Sequence, residues 1–167
     1  MPEDVAEREL RHCCGSTRWA RAMAAARPFA SAEEMQETAD KLWSELDVTD
    51  WQEAFAAHPR IGEKAKMGPG EHGRSGPEDS GHEDWSAAEQ ARVQRAGDAV
   101  RARLAAANRA YDARFGHIFI VSASGKSAEE ILAILERRLT NEPDHELKTA
   151  AEEQRKITRL RIAKLLE

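Results

Sequence analysis

Three polar residues stand out in this chain because each breaks the pattern around it. His58 is followed by Pro59, Arg60, Ile61 and Gly62. Proline lacks an N–H and restricts the residue before it, so this run ends a helix and sets His58 at a fixed helix terminus. Further on, Ser86-Ala87-Ala88-Glu89-Gln90 puts Glu89 three residues after a serine able to cap a new helix. On the last helical stretch, Leu147, Ala150, Gln154, Ile157, Arg161 and Leu165 share one side at the helical period, whereas Arg155 and Arg159 point elsewhere. An arginine on that side needs a negative partner, because an unpaired buried charge is costly. Arg161 faces either Glu89 or the carboxylate of a ligand. An imidazole that titrates near neutrality, a carboxylate and a guanidinium fork suit acid/base work on a small anionic molecule.

Each position also has a plainer reading. Ser86 with Glu89 fits a capping box, and the same spacing recurs at Ser31/Glu34, Thr49/Gln52 and Ser127/Glu130. His58 fits a favourable interaction with a helix C-terminal dipole, and Arg161 fits a structural salt bridge. A helical interaction domain without catalysis would use all three in that way.

The elements that must position these residues are helices. Charged residues make up 33% of the chain and aromatic residues 5%, with alanine and arginine abundant, which favours helices over sheets. The expected fold is an all-α, compact multi-helix bundle. Residues 4–14 and 17–27 read as two short helices around Gly15-Ser16, with Gly15 suited to a C′ position. Ser31 caps a helix to about Leu46, and Thr49 with Gln52 opens one that carries Trp51 and Phe55 into His58. Residues 62–84 turn to Gly, Pro, Glu, His and Ser and read as one long loop, a length at which loops are usually functional or disordered. The longest helix is expected from Ser86 to about Arg114, with Val93, Val100, Leu104, Ala107 and Tyr111 on one face; extended backwards, that face includes Glu89. Its arginines 101, 103, 109 and 114 spread round it as a solvated surface. Phe115-Gly116 ends it, and residues 118–122 form a short extended segment with no partner strand. Ser127 caps a helix to about Leu139, and Pro143 begins the last one.

At 167 residues the chain is most simply one domain, 1–167. A formal charge of −5 argues against a nucleic-acid partner, since neutralising phosphates needs a basic face. No stretch approaches a membrane span, and no leader or peroxisomal address is recognisable, so a cytoplasmic protein with no membrane partner is expected. Cys13 and Cys14 are adjacent, so they are poorly placed to bridge each other and read as buried structural thiols. His72, His82 and His117 match no compact ligand spacing, and no metal is expected. Glycine-rich phosphate loops and nucleophile elbows are also missing.

With these residues in hand, the chain resembles the OHCU decarboxylases, which act on 2-oxo-4-hydroxy-4-carboxy-5-ureidoimidazoline in urate breakdown. The resemblance rests on Cys14-Gly15-Ser16 with Arg18-Trp19-Ala20, Arg27-Pro28-Phe29, His58-Pro59-Arg60-Ile61-Gly62, Ser86-x-x-Glu89-Gln90, Phe115-Gly116-x-x-Phe119-Ile120-Val121 and Leu160-Arg161-Ile162. It implies a cofactor-free enzyme, commonly a homodimer, that makes (S)-allantoin from a small-molecule substrate. His58 is then similar to the family's proton donor, with Pro59 touching the substrate. Ser86, Ala87, Ala88, Glu89 and Gln90 correspond to the segment that holds its ureido and ring groups. Phe119, Ile120, Val121, Ser122 and Ala123 correspond to a stretch that supplies backbone contacts, and Arg161 to the arginine that engages the carboxylate. Two departures are Ser122, where cysteine is frequent, and the polar His117 after Gly116.

Overall fold

Ser31 and Ser127 cap helices where the spacing predicts them, and serine or aspartate side chains cap four of the seven described helices. The computed structural model describes residues 1–61 and 97–167. Among the described residues there are seven helices and no strand: α1 (Glu3–Cys13), α2 (Thr17–Ala25), α3 (Ala32–Ser44), α4 (Val48–Ala56), α5 (Asp98–Phe115), α6 (Ala128–Arg138) and α7 (Pro143–Leu165). Ser16, Ser31 and Ser127 each accept the backbone N–H three residues on, at 3.3, 3.1 and 3.2 Å. Each bond satisfies a donor that the first helical turn cannot. The cap of α4 differs from expectation. Asp47, not Thr49, caps it, and Asp50 reaches back to the Asp47 N–H to complete the box. Aspartate caps at least as well as threonine and adds negative charge at the positive end of the helix. α2 stops at Ala25 because Pro28 disfavours helical backbone at Arg27.

The described residues group into two compact units. The first holds Met1–His58, Ile120–Ser122 and Asp144–Glu167. Its core includes Leu10, Trp19, Met23, Phe55, Ile157 and Ile162, all buried. Buried Trp19 and Trp43 and half-buried Trp51 place their N–H groups on helix carbonyls: Trp19 on Ala39, Trp43 on Ala151 and Trp51 on Trp43, at 3.1, 3.0 and 3.2 Å. On α7 the buried residues are Glu146, Ala150, Ala151, Gln154, Ile157, Thr158 and Ile162. Arg155 and Arg159 lie off that face, as expected, and reach Asp40 of α3 at 3.0 and 2.6 Å.

Gly15 does not act as a left-handed C′ residue, the role its position suggested. The residue after α1 is Cys14 in extended conformation, and positive φ among the described residues belongs to Gly116 and Gly125. Its need is close approach: a Cβ on Gly15 would lie 2.4 Å from Ala57 Cβ and 3.6 Å from the Ala54 backbone. The turn between α1 and α2 is thus seated directly against the C-terminal end of α4, next to His58. Gly15→Ala is expected to destabilise the protein by about 1–3 kcal/mol through overpacking. Removing the opposing methyl with Ala57→Gly in the same chain recovers most of the loss, and paired urea unfolding curves check both.

The second unit holds Pro59–Phe119 and Ala123–Pro143. Leu104, Ala107 and Tyr111 of α5, Ile131, Leu132 and Leu135 of α6, and Phe119 are among its buried apolar residues. Arg138 is buried among them, its guanidinium 4.6 Å from the Phe119 ring centroid and 6.0 Å from that of Tyr111. Gly116 ends α5 with φ of 74°, its amide bonded to the Asp112 carbonyl at 2.9 Å. Arg101, Arg103, Arg109 and Arg114 are exposed, as expected of a solvated surface. Gly97, however, is extended and precedes α5 as its cap, so a single helix from Ser86 to Arg114 does not run through this point. Glycine loses the most backbone freedom in a helix and favours such a break. The expected loop at 62–84 and the Ser86–Gln90 segment lie outside the described residues. Residues 118–122 form no helix, and there is no strand among the described residues.

Candidate active site

His58 follows the last turn of α4. Its amide donates to the Phe55 carbonyl at 3.1 Å, and Pro59 then prevents further helix, as the sequence implied. The side chain is half-buried. Its Nε2 lies 2.6 Å from Gln154 Oε1 of α7. Gln154 is fully buried, and its Nε2 donates to Thr158 Oγ1 at 3.1 Å, one turn further along the same helix. Thr158 in turn lies close enough to the Cys14 thiol to oppose the rise that burial causes in its pKa. Three side chains therefore form one hydrogen-bonded line, His58, Gln154 and Thr158, with Cys14 beside its far end.

Burial, and after it the positive charge of Arg161, pushes the His58 pKa down to about 4, while the Gln154 hydrogen bond works in the opposite sense. At that value the ring is neutral at pH 7. Arg161 is half-buried, and its Nη1 donates to the His12 carbonyl at 3.4 Å. The first unit thus brings His58 and Arg161 into electrostatic contact. Glu89, Ser86, Ala87, Ala88 and Gln90 lie outside the described residues. Cys13 and Cys14 are free, buried thiols, each pushed up to about 12 by burial. A thiol held neutral that far above pH 7 is no nucleophile.

Residues 119–123 divide between the units. Ile120, Val121 and Ser122 belong with His58 and Arg161, and the Ser122 amide donates to Glu153 Oε2 at 3.3 Å. Phe119 and Ala123 belong to the second unit, where Phe119 packs edge-on to Tyr111. Pro59 is exposed in that unit. There Asn108 Nδ2 donates to the Ile61 carbonyl at 2.8 Å, and Arg60 Nε to Asp112 at 2.7 Å, so α5 holds the residues after Pro59. His117 is half-buried against Tyr111 and Phe115, its Nδ1 3.0 Å from the Ile118 carbonyl.

Gln154 and Thr158 are the residues that sequence reasoning passed over. Gln154 carried the same signal as Arg161, a polar side chain on the buried face of the last helix. A neutral amide attracts less notice than a charge, yet when buried it too requires partners.

Comparison with known proteins adds independent findings. A profile of the OHCU decarboxylase family matches residues 1–163. The uric acid degradation bifunctional protein TTL of Arabidopsis thaliana is 38% identical over 169 residues, covering 99% of this chain and 48% of that protein. This chain therefore spans about half the length of that relative. A 2-oxo-4-hydroxy-4-carboxy-5-ureidoimidazoline decarboxylase of Amia calva is 30% identical over 148 residues, covering 84% of this chain and 75% of that one. Among solved structures, an OHCU decarboxylase crystallised in the presence of (S)-allantoin superposes with a TM-score of 0.77 at 36% identity, covering 94% of this chain and 96% of that chain.

Proposed function

Because this chain belongs to the OHCU decarboxylase family, we propose that it converts 2-oxo-4-hydroxy-4-carboxy-5-ureidoimidazoline to (S)-allantoin, without a cofactor, in urate breakdown. The observation that carries this reading is His58. The histidine of the family motif is half-buried at the end of α4, held at one ring nitrogen and within the field of Arg161.

The substrate supplies its own electron sink. Loss of CO₂ from C4 leaves an electron pair that the adjacent C5=N bond accepts, so neither pyridoxal phosphate nor thiamine is needed. The protein's task is to orient and protonate. In this reading Arg161 holds the carboxylate, Glu89 holds or deprotonates the C4 hydroxyl, and His58, neutral at rest, takes up a proton as substrate binds and delivers it to one face of C5 as C4 becomes a carbonyl, while the ring nitrogen that accepted the electron pair is protonated from water. Pro59, the Ser86–Gln90 segment and the Phe119–Ala123 stretch line the substrate. A carboxylate bound beside Arg161 offsets the charge that helps keep His58 neutral, so substrate binding raises the proton affinity of the ring. We further expect a cytoplasmic homodimer, as the family resemblance implies. Among the described residues, no helix is long and apolar enough to cross a membrane.

The test generates fresh substrate from urate with urate oxidase and hydroxyisourate hydrolase, then follows allantoin by circular dichroism. Enzyme at micromolar concentration is expected to give optically active product faster than spontaneous decay, with or without a chelator. Racemic product at the spontaneous rate rejects the proposal.

A further inference from the structure

The line of side chains behind His58 determines which ring nitrogen carries the proton. A glutamine carbonyl oxygen has no hydrogen to give, so the 2.6 Å contact between His58 Nε2 and Gln154 Oε1 requires an N–H on Nε2. The amide is held in that orientation from its other end, where Gln154 Nε2 donates to Thr158 Oγ1 at 3.1 Å. Thr158 offers an acceptor lone pair to that amide, and its own hydrogen is free to point toward the neighbouring Cys14 sulfur. All three supporting side chains are buried: Gln154 and Cys14 are fully so, and Thr158 is 5% exposed. Water cannot readily take over any of these bonds, so breaking one leaves a buried polar group unmatched. A neutral imidazole with its proton on Nε2 has a bare lone pair on Nδ1.

We infer that Gln154 is a positioning residue that locks His58 in the Nε2–H tautomer, so that Nδ1 is the nitrogen through which the ring exchanges protons with substrate, and that Thr158 keeps the Gln154 amide from turning over. This rests on the reading above that His58 exchanges a proton with the substrate. The lock itself is a property of the free protein and is measurable without turnover.

The experiment is long-range 1H–15N correlation NMR on uniformly 15N-labelled protein at pH 7. The chain has six histidines, and the His58 ring is assigned as the spin system missing from His58→Asn. The wild-type ring is expected to show the pattern of a protonated Nε2 and a bare Nδ1. Gln154→Leu removes the acceptor and Thr158→Val frees the amide to turn. Each is expected to shift the ring toward a mixture of tautomers and to lower kcat about tenfold, the effect of losing one hydrogen bond, with KM little changed. Gln154→Glu keeps an oxygen acceptor and is expected to preserve the Nε2–H pattern. A wild-type ring protonated on Nδ1, or a Nε2–H pattern that survives both Gln154→Leu and Thr158→Val, overturns the inference. If Gln154→Leu does not fold, the wild-type spectrum and Thr158→Val decide it. An Nε2–H pattern in a protein that makes only racemic allantoin upholds the lock and rejects the enzymatic reading instead.

Discussion

Replacing His58 with asparagine is expected to lower kcat by about 10²–10⁴-fold, the usual contribution of a positioned proton-transfer group, and to abolish the optical purity of the product. Asparagine keeps a polar side chain of similar reach but cannot carry a proton between two states. Because the substrate also decays in water, the stereochemical readout separates a slow enzyme from none. The same variant has a second, independent signature in stability. The folded His58 titrates near 4 against an ordinary value of 6.5. As pH falls, the unfolded chain therefore binds a proton before the native state does, and protonation favours unfolding. Stability from this residue is complete above about pH 6.5, declines between 6.5 and 4, and levels off below. The total is roughly 3 kcal/mol. Urea unfolding of wild type and His58→Asn across pH 7 to 4 is expected to show this segment of slope in the wild type only. A variant with full activity removes His58 from the chemistry, and an unchanged slope means that the ring is not held neutral.

Replacing Arg161 with glutamine is expected to cost about 2–5 kcal/mol of binding to the substrate carboxylate, between roughly 30-fold and several-thousand-fold in kcat/KM. The loss falls mainly in KM if the carboxylate is gripped equally before and during CO₂ release. Arg161 also acts on His58: its charge helps depress the imidazole pKa, so Arg161→Gln raises that pKa, a change visible in an NMR titration of the ring. Arg161→Lys separates the two roles. Lysine keeps the positive charge, and with it the low histidine pKa, but lacks the planar fork that grips a carboxylate at two points. A lysine variant with wild-type KM would show that charge alone suffices. A glutamine variant with wild-type kinetics would return Arg161 to the structural role its bond to the His12 carbonyl suggests.

Much of the fold was legible because its signals are local. Ser31 and Ser127 cap helices as their spacing implies, Gly116 ends α5 in the left-handed conformation, and Pro59 stops the chain from continuing helically past His58. Where local reasoning slipped, a competing local preference won. Asp47 outcompeted Thr49 as a cap, and Gly97 interrupted a stripe that hydrophobic period alone would carry straight through. That break matters for the site, because the periodicity that placed Glu89 on the buried face of a continuous helix does not extend across it.

The types of side chain, the helix end under His58 and the face that carries Arg161 were determined by sequence alone, since each depends on residues within a turn or two of one another. Tertiary structure decided the rest. Gln154 is 96 residues from His58, yet its side-chain oxygen lies 2.6 Å from the imidazole Nε2. Gly15 reads as a helix stop until Ala57 is placed against it, and then its missing side chain is seen to make room for the end of α4. The depressed pKa of His58 comes from burial and from the charge of Arg161 on another helix. Tautomer, proton affinity and steric room depend on how closely distant groups approach, and period and composition carry no information about that distance.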